Sequence, residues 1–383
     1  MMIYTLSTGD KIHKYDKSIV IQFKDDRKVL STSPINGGYR EDLKNIFNHD
    51  ENPGAGIACK LKAPTYGEHM HLIAEELGLN PEETAGISTA ASMENLSIKS
   101  ESFKEITVTA IVTGGIEVNG GRVGDPASYY ETNGKVEMIK HGTINIILVI
   151  DGDLPPETMT RALVTCTEAK TAAIQELMAG SNYSRGIATG SGTDGTIIVC
   201  NSKSKIKLTN AGKHSKLGEL IGVAVKKAVK EALFLQTGLC PKSQHSMLKR
   251  VKRFGIDENK IWDKYKELYC EYLKEENEEQ LTKPEFIHNL HVIDSRKELV
   301  ILTSLYVHII DQLDWKLLSP MEVVDELNEI LNNILKKFNM ENKLMSVFKL
   351  DYSENESTEE VIELIIDRFI LIMAQISGGV KNV

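Results

Sequence analysis

The segment A-T-G-S-G-T-D-G-T-I-I-V, residues 188–199, sets Gly190, Gly192 and Gly195 around Ser191, Thr193 and Asp194, directly before an apolar run. Two hydroxyls and a carboxylate on backbone that glycine leaves uncovered could make a nucleophile turn, an oxyanion-donating loop or a phosphate cradle. The nucleotide motifs fit poorly. A P-loop needs a lysine after its last glycine and none follows, and the dinucleotide fingerprint opens a helix, whereas T-I-I-V-C reads as a strand. A tight hairpin is the structural alternative, but a hairpin needs one Asp-Gly, and the surplus hydroxyls leave a substrate role open.

Other stretches carry groups of the same kind. In A-L-V-T-C-T-E-A-K-T-A-A-I-Q-E, residues 162–176, Thr165, Glu168, Ala172 and Gln175 recur at steps of three, four and three, which places them on one face of a helix. That small-residue face suits packing on a sheet or the wall of a site, and Glu168 is either a solvated charge or an orienting or catalytic carboxylate. In N-A-G-K-H-S-K-L-G-E-L-I-G, residues 210–222, Asn210 or Ser215 can cap a helix, and Gly218 and Gly222 let a second backbone or a flat ligand come close. On this reading His214 sits in the first turn, where the positive end of the helix dipole keeps an imidazole neutral and able to act as a base; a merely capping histidine is the alternative. His69 and His71 would share a face on a strand and could hold a metal, yet the residues after them read as a helix that turns the rings apart, so no metal site is assigned. Asn36, Asn119, Asp125 and Asn145 lie in glycine-rich strand ends and could contact a ligand, although turn formation explains Asn36 and Asn119 equally well.

The elements that must position these groups fall into two parts. Of 28 glycines, all but Gly255, Gly378 and Gly379 precede residue 241. Residues 1–240 therefore read as one domain and 241–383 as another. The first 35 residues alternate in short runs divided by T-G-D and K-D-D-R-K, an antiparallel meander. Strands are expected at 85–91, 106–113, 143–150 and 196–200, with helices from Pro155 to Met178 and from Lys213 to Gln236. This order gives an α/β crossover unit, a mixed sheet flanked by helices. Beyond Pro241 the pattern is all-α, with helices expected at 258–278, 296–318, 321–338 and 358–376, and Leu302, Leu305, Ile309 and Leu313 as a packed bundle face.

Composition bounds the function. With 41% hydrophobic and 26% charged residues the chain reads as globular, and no apolar run is long enough to span a membrane. A net charge of −9 disfavours nucleic acid as a partner, because phosphate contacts require clustered Lys and Arg. The acidity is concentrated after residue 240, at −7 against −2 before it. The amino terminus has no basic region leading into an apolar core, and five scattered cysteines without a C-x-x-C pair read as free thiols. Together these point to a cytoplasmic protein with a small-molecule or protein partner.

Five blocks, S-T-A-A-S-M-E-N (88–95), H-G-T-I-N-I-I (141–147), R-A-L-V-T-C-T-E-A-K-T-A-A-I-Q-E-L (161–177), A-T-G-S-G-T-D-G (188–195) and H-S-K-L-G-E-L-I-G (214–222), taken in order, resemble the adenosylcobinamide amidohydrolase family of corrinoid salvage. The resemblance runs from about residue 35 to 235 and leaves the acidic helical part uncovered. It implies hydrolysis of the amide joining aminopropanol to the corrin ring, giving adenosylcobyric acid for cobalamin synthesis, in an open cleft. The cobalt comes inside the substrate and no separate cofactor is implied. Such a reaction needs a nucleophile or activated water, oxyanion donors and an acid for the leaving amine. Chemistry then assigns His214 as base or acid, Asp194 and Glu168 as its partner or water activator, and Thr193 or Ser191 as nucleophile or oxyanion donor. Asn145 and Lys170 are substrate contacts, with Asn119, Asp125, Gly190, Gly192 and Gly218 as further cleft residues. A non-hydrolytic corrinoid carrier is the alternative, and the helical part could serve to build a homo-oligomer.

Overall fold

The computed structural model describes residues 1–54, 61–127, 131–132, 135–136, 143–270, 280–340 and 356–379. Cys59, and His141 and Gly142 of the second block, lie outside them. The chain divides into two compact units, Met1–Cys240 and Pro241–Val383.

Unit one begins with β1 (Met2–Thr5), β2 (Lys11–Lys14), β3 (Ser18–Gln22), β4 (Arg27–Ser31), β5 (Gly38–Arg40) and β6 (Asn45–Asp50), followed by helix α1 (Tyr66–Glu76). Next come β7 (Thr84–Thr89), β8 (Ser97–Phe103), β9 (Ile106–Gly114) and the short β10 (Gly120–Gly121), β11 (Glu131–Thr132) and β12 (Lys135–Val136). It closes with β13 (Ile144–Ile150), α2 (Pro156–Glu176), β14 (Gly190–Ser191), β15 (Gly195–Asn201) and α3 (Lys216–Thr237). Two mixed sheets result, one ordered β1-β2-β3-β6-β7 and the other β5-β4-β15-β13-β9-β8. Each contains one parallel pair, β6 with β7 and β13 with β15, because α1 and α2 supply the crossovers that parallel neighbours require.

Alternation along the strands sorts the side chains into layers. In β13, Ile147 and Val149 join Ile46 and Ile87 between the sheets, while Ile146 and Leu148 face α2 and α3. On the far side of the five-stranded sheet, Phe47 and Val20 pack against Met70, Ile73 and Ala74 of α1. Unit one is thus helix, sheet, sheet, helices.

The expected meander is split. β1–β3 stay in one sheet, but β4 pairs with β15 in the other. Arg27 pins this crossing: its Nε and Nη2 donate to the two carboxylate oxygens of buried Asp10 at 2.9 and 2.8 Å, and Nη2 also reaches the carbonyl of Thr8. Residues 84–89, 106–114, 144–150 and 195–201 are strands, close to the expected spans.

Unit two is helical: α4 (Met247–Val251), α5 (Glu258–Leu268), α6 (Lys283–Asp294), α7 (Lys297–Asp314), α8 (Pro320–Lys337) and α9 (Thr358–Gly379). Its core gathers Phe286, Tyr306 and Phe369 from three of these helices. The buried stripe of α7 runs through Leu299, Thr303, Tyr306, Val307, Ile310 and Leu313. Leu305, expected inside, is 48% exposed, and Leu302 and Ile309 are only partly buried, because the apolar face is turned from the one the leucine spacing suggested.

Candidate active site

Asn145 is the second residue of β13 and points between the sheets, on the same face as Ile147. Its Nδ2 donates to Asn48 Oδ1 and to the carbonyl of Ser88, both at 2.8 Å, and its Oδ1 accepts the Gly195 N–H at 3.1 Å. Asn48 in turn donates to Thr113 Oγ1. The end of the sandwich where β6 and β7 finish is therefore the end where β13 and β15 begin. This end lies outside the carboxyl ends of the parallel pair β6 and β7, where open α/β sheets place ligands, and at the amino ends of the pair β13 and β15. Asn145 is 1% exposed, so it ties the two sheets together rather than presenting its amide to a ligand.

Beside it the glycine-rich segment does not form a plain hairpin. β14 pairs antiparallel with β10, Gly120 opposite Ser191 and Gly121 opposite Gly190. The chain then turns through Gly192 and Thr193 into β15. Asp194 folds back on this turn, where its Oδ1 accepts from Ser191 Oγ at 2.7 Å and from the Ile144 N–H at 2.9 Å. The Ser191 N–H reaches both carboxylate oxygens, and Lys170 of α2 closes an ion pair on Oδ2. A Cβ at Gly190 would strike Asp194 Oδ2 and Lys170 Nζ, and one at Gly195 would come within 2.7 Å of Asn145 Oδ1. Those glycines make room for polar side chains. Thr143 Oγ1 donates to the Thr193 carbonyl at 2.5 Å, and Thr193 itself is exposed at the tip.

On the other side of the same end, Tyr66 OH and Ser88 Oγ are 2.5 Å apart, and the Glu51 N–H donates to the Thr89 carbonyl at 2.7 Å. His69 of α1 is buried. Its Nδ1 accepts the Lys62 N–H at 3.0 Å, which places the ring proton on Nε2, 2.8 Å from Glu51 Oε1. His71 is half-buried on another face of the helix, near Glu75. Among the described residues no three His, Cys, Asp or Glu side chains are grouped to hold a metal ion.

His214 is not brought to this end. Helix α3 is capped by Ser215, which accepts the Gly218 N–H at 3.0 Å, so His214 precedes the cap instead of lying in the first turn. It is exposed. Lys216 Nζ lies 4.7 Å from the Phe103 ring, at the end of the sheet where Ile150 pairs with Val108. Asp194 is at the opposite end, beside Gly195 and Asn145. Glu168 is half-exposed and pairs with Lys213.

Thr165, Glu168, Ala172 and Gln175 do share a face, and with Gly222 they line an open groove of about 680 Å3 between α2 and α3. Gly218 is filled from its own loop, since a Cβ there would strike the Gly212 carbonyl, whereas Gly222 meets nothing. Asn119 is buried. Asp125 accepts from Ser181 Oγ and the Arg122 N–H at 2.5 and 2.7 Å. Burial opposes its charge, but these donors prevail and hold its carboxyl below the ordinary carboxylate value.

Sequence reasoning missed Asn48, His49, Glu51, Tyr66 and Thr113. The legible signal was N-H-D-E at 48–51, where His49 and Glu51 are two residues apart on strand-like sequence.

The comparisons with known proteins bear on the first unit. A family model described as adenosylcobinamide amidohydrolase matches residues 3–241. An uncharacterized protein of Methanocaldococcus jannaschii is 37% identical over 231 residues, covering 57% of this chain and 87% of that protein. A Methanosarcina mazei protein named adenosylcobinamide amidohydrolase is 30% identical over 234 residues, 58% of this chain and 98% of its own length. Residues from four of the five blocks that carry the resemblance, within 88–95, 143–147, 161–177 and 188–195, meet at the polar end of the sandwich, and through residues 3–241 the chain belongs to the adenosylcobinamide amidohydrolase family.

Proposed function

We propose that residues 1–240 hydrolyse the amide joining aminopropanol to the corrin ring of adenosylcobinamide, releasing adenosylcobyric acid and the free amino alcohol for return to cobalamin synthesis. The observation that carries this reading is the convergence of residues from four family blocks on one end of the sandwich, where hydroxyls, a lysine and carboxylates are held by a buried amide network. Hydrolysis of an amide requires donors for the tetrahedral oxyanion and a group that moves a proton from water to the leaving amine. Lys170, whose ammonium keeps further protons beside its pair with Asp194, and Thr193 at the turn are the donors in this proposal, because Ser191 gives both its hydroxyl and its N–H to Asp194. Asp194 is their scaffold, because Lys170, Ser191 and the Ile144 N–H already occupy both its oxygens. Glu168 and His214 stand outside the chemistry. Water is the co-reactant and the cobalt belongs to the substrate.

Incubation with adenosylcobinamide, followed by mass spectrometry of the corrinoid, tests this. Hydrolysis leaves a corrinoid lighter by the aminopropanol group. Retention of the full mass in a corrinoid that co-purifies with the protein would instead identify a carrier.

A further inference from the structure

His49 and Glu51 stand two residues apart where β6 ends, so their side chains leave the chain on one side. Both line a cavity of about 420 Å3 next to α1, together with Lys17, Ser18, Lys62 and His69. Glu51 is 12% exposed and its Oε1 receives the proton of His69 Nε2, whose tautomer is fixed by the Lys62 N–H on Nδ1. Among the described residues no side chain or N–H occupies Oε2. His49 Nδ1 lies 2.8 Å from Ser18 Oγ, leaving Nε2 for the cavity. Burial, the largest influence, lowers the His49 pKa, which favours the neutral ring. The two lysines are committed elsewhere, Lys17 Nζ to the Asn52 carbonyl at 2.5 Å and Lys62 Nζ to Glu76 at 2.6 Å. Glu51 thus differs from Asp194 in the respect that matters for proton transfer: it is oriented by a neighbour and, among the described residues, has one oxygen without a donor. It is also tied to the polar end, through its N–H on the Thr89 carbonyl.

Resting on the reading of this chain as an amide hydrolase, we propose that Glu51 is the catalytic carboxylate of the reaction and His69 its positioning residue. Glu51 Oε2 takes a proton from water as the water oxygen bonds to the amide carbon. The same proton then passes to the amide nitrogen, the carbon–nitrogen bond breaks, and a carboxylic acid and an amine leave with Glu51 restored. No oxidant, reductant or further reactant enters.

The test compares the full-length wild type with Glu51→Gln, His69→Leu and His69→Gln, using adenosylcobinamide and aminopropanol release as the readout. Glu51→Gln is expected to lower kcat by about 100-fold or more, with KM within about threefold. His69→Leu, which removes the donor, lowers kcat by about tenfold at unchanged KM. His69→Gln, whose side-chain amide can replace the Nε2 proton, recovers most of that loss. Thermal midpoints within a few degrees of wild type show that the variants fold. An active wild type with an equally active Glu51→Gln overturns this assignment alone. A wild type that leaves the corrinoid mass unchanged overturns the amide-hydrolase reading, and this assignment with it.

Discussion

At the scale of single residues, Asp194 shows what a sequence can and cannot reveal. The surplus of hydroxyls and a carboxylate on the glycine-rich turn was legible as a sign of more than a hairpin, and two of the glycines have a steric cause: Gly190 clears the Lys170–Asp194 pair and Gly195 clears Asn145. What sequence cannot reveal is that the Ile144 N–H, fifty residues away, fills Asp194. Glu51 is the converse case, since its orientation depends on a histidine in the following helix. The side chains of Lys170 and Asp194 are 11% and 13% exposed, so removing one charge leaves the other poorly solvated. Asp194→Asn is expected to cost about 3 kcal/mol, because the ammonium of Lys170 then lacks its counter-charge. Lys170→Met costs less, since Asp194 keeps its donors from Ser191 and Ile144. The double variant should be more stable than Asp194→Asn alone, as read from urea unfolding midpoints. Simple addition of the two losses would show that the pair is not coupled.

At the scale of elements, runs rich in β-branched residues identified β7, β9, β13 and β15, each of them buried along most of its length. They could not say that β4 leaves the meander, since pairing is decided by Arg27 reaching Asp10 across the fold. Helix α6 was missed, and its amphipathic pattern is weak, with only Phe286, Leu290 and Ile293 buried. The face of α7 was misassigned because Leu305 resembles a core residue while buried Thr303 and Tyr306 do not. Helix α3 offers a paired test of what its two glycines do. At Gly222 a methyl meets no atom within 4 Å, so Gly222→Ala should stabilise unit one by roughly 0.5–1 kcal/mol through the lower backbone entropy of the unfolded chain. At Gly218 the same methyl strikes the Gly212 carbonyl, and Gly218→Ala should destabilise by about 1–3 kcal/mol. Thermal unfolding of the two variants should shift in opposite directions. A stabilising Gly218→Ala would show that the 211–212 loop yields without cost.

At the scale of the whole molecule, the decisive relation is that each unit has its own interior. The clusters between the sheets and under α1, α2 and α3 draw on residues up to Leu239, and the helical cluster draws on residues from Met247 onward. The buried ion pair of the second unit, Arg253 with Asp311 at 2.5 and 2.6 Å, is likewise internal to it. A core complete within one unit is what lets a domain fold alone. The family match also ends at residue 241, so the groups proposed for the chemistry all precede the helical unit. A chain cut after Cys240 is therefore expected to unfold in one cooperative transition and to retain aminopropanol release within about threefold of full length, since none of its buried clusters is opened. The complementary piece from Pro241 should keep helical circular dichroism and show no release. Loss of activity by more than tenfold in a folded 1–240 chain would mean that the helical unit contributes to the site, and would place part of the mechanism beyond the family's own boundary.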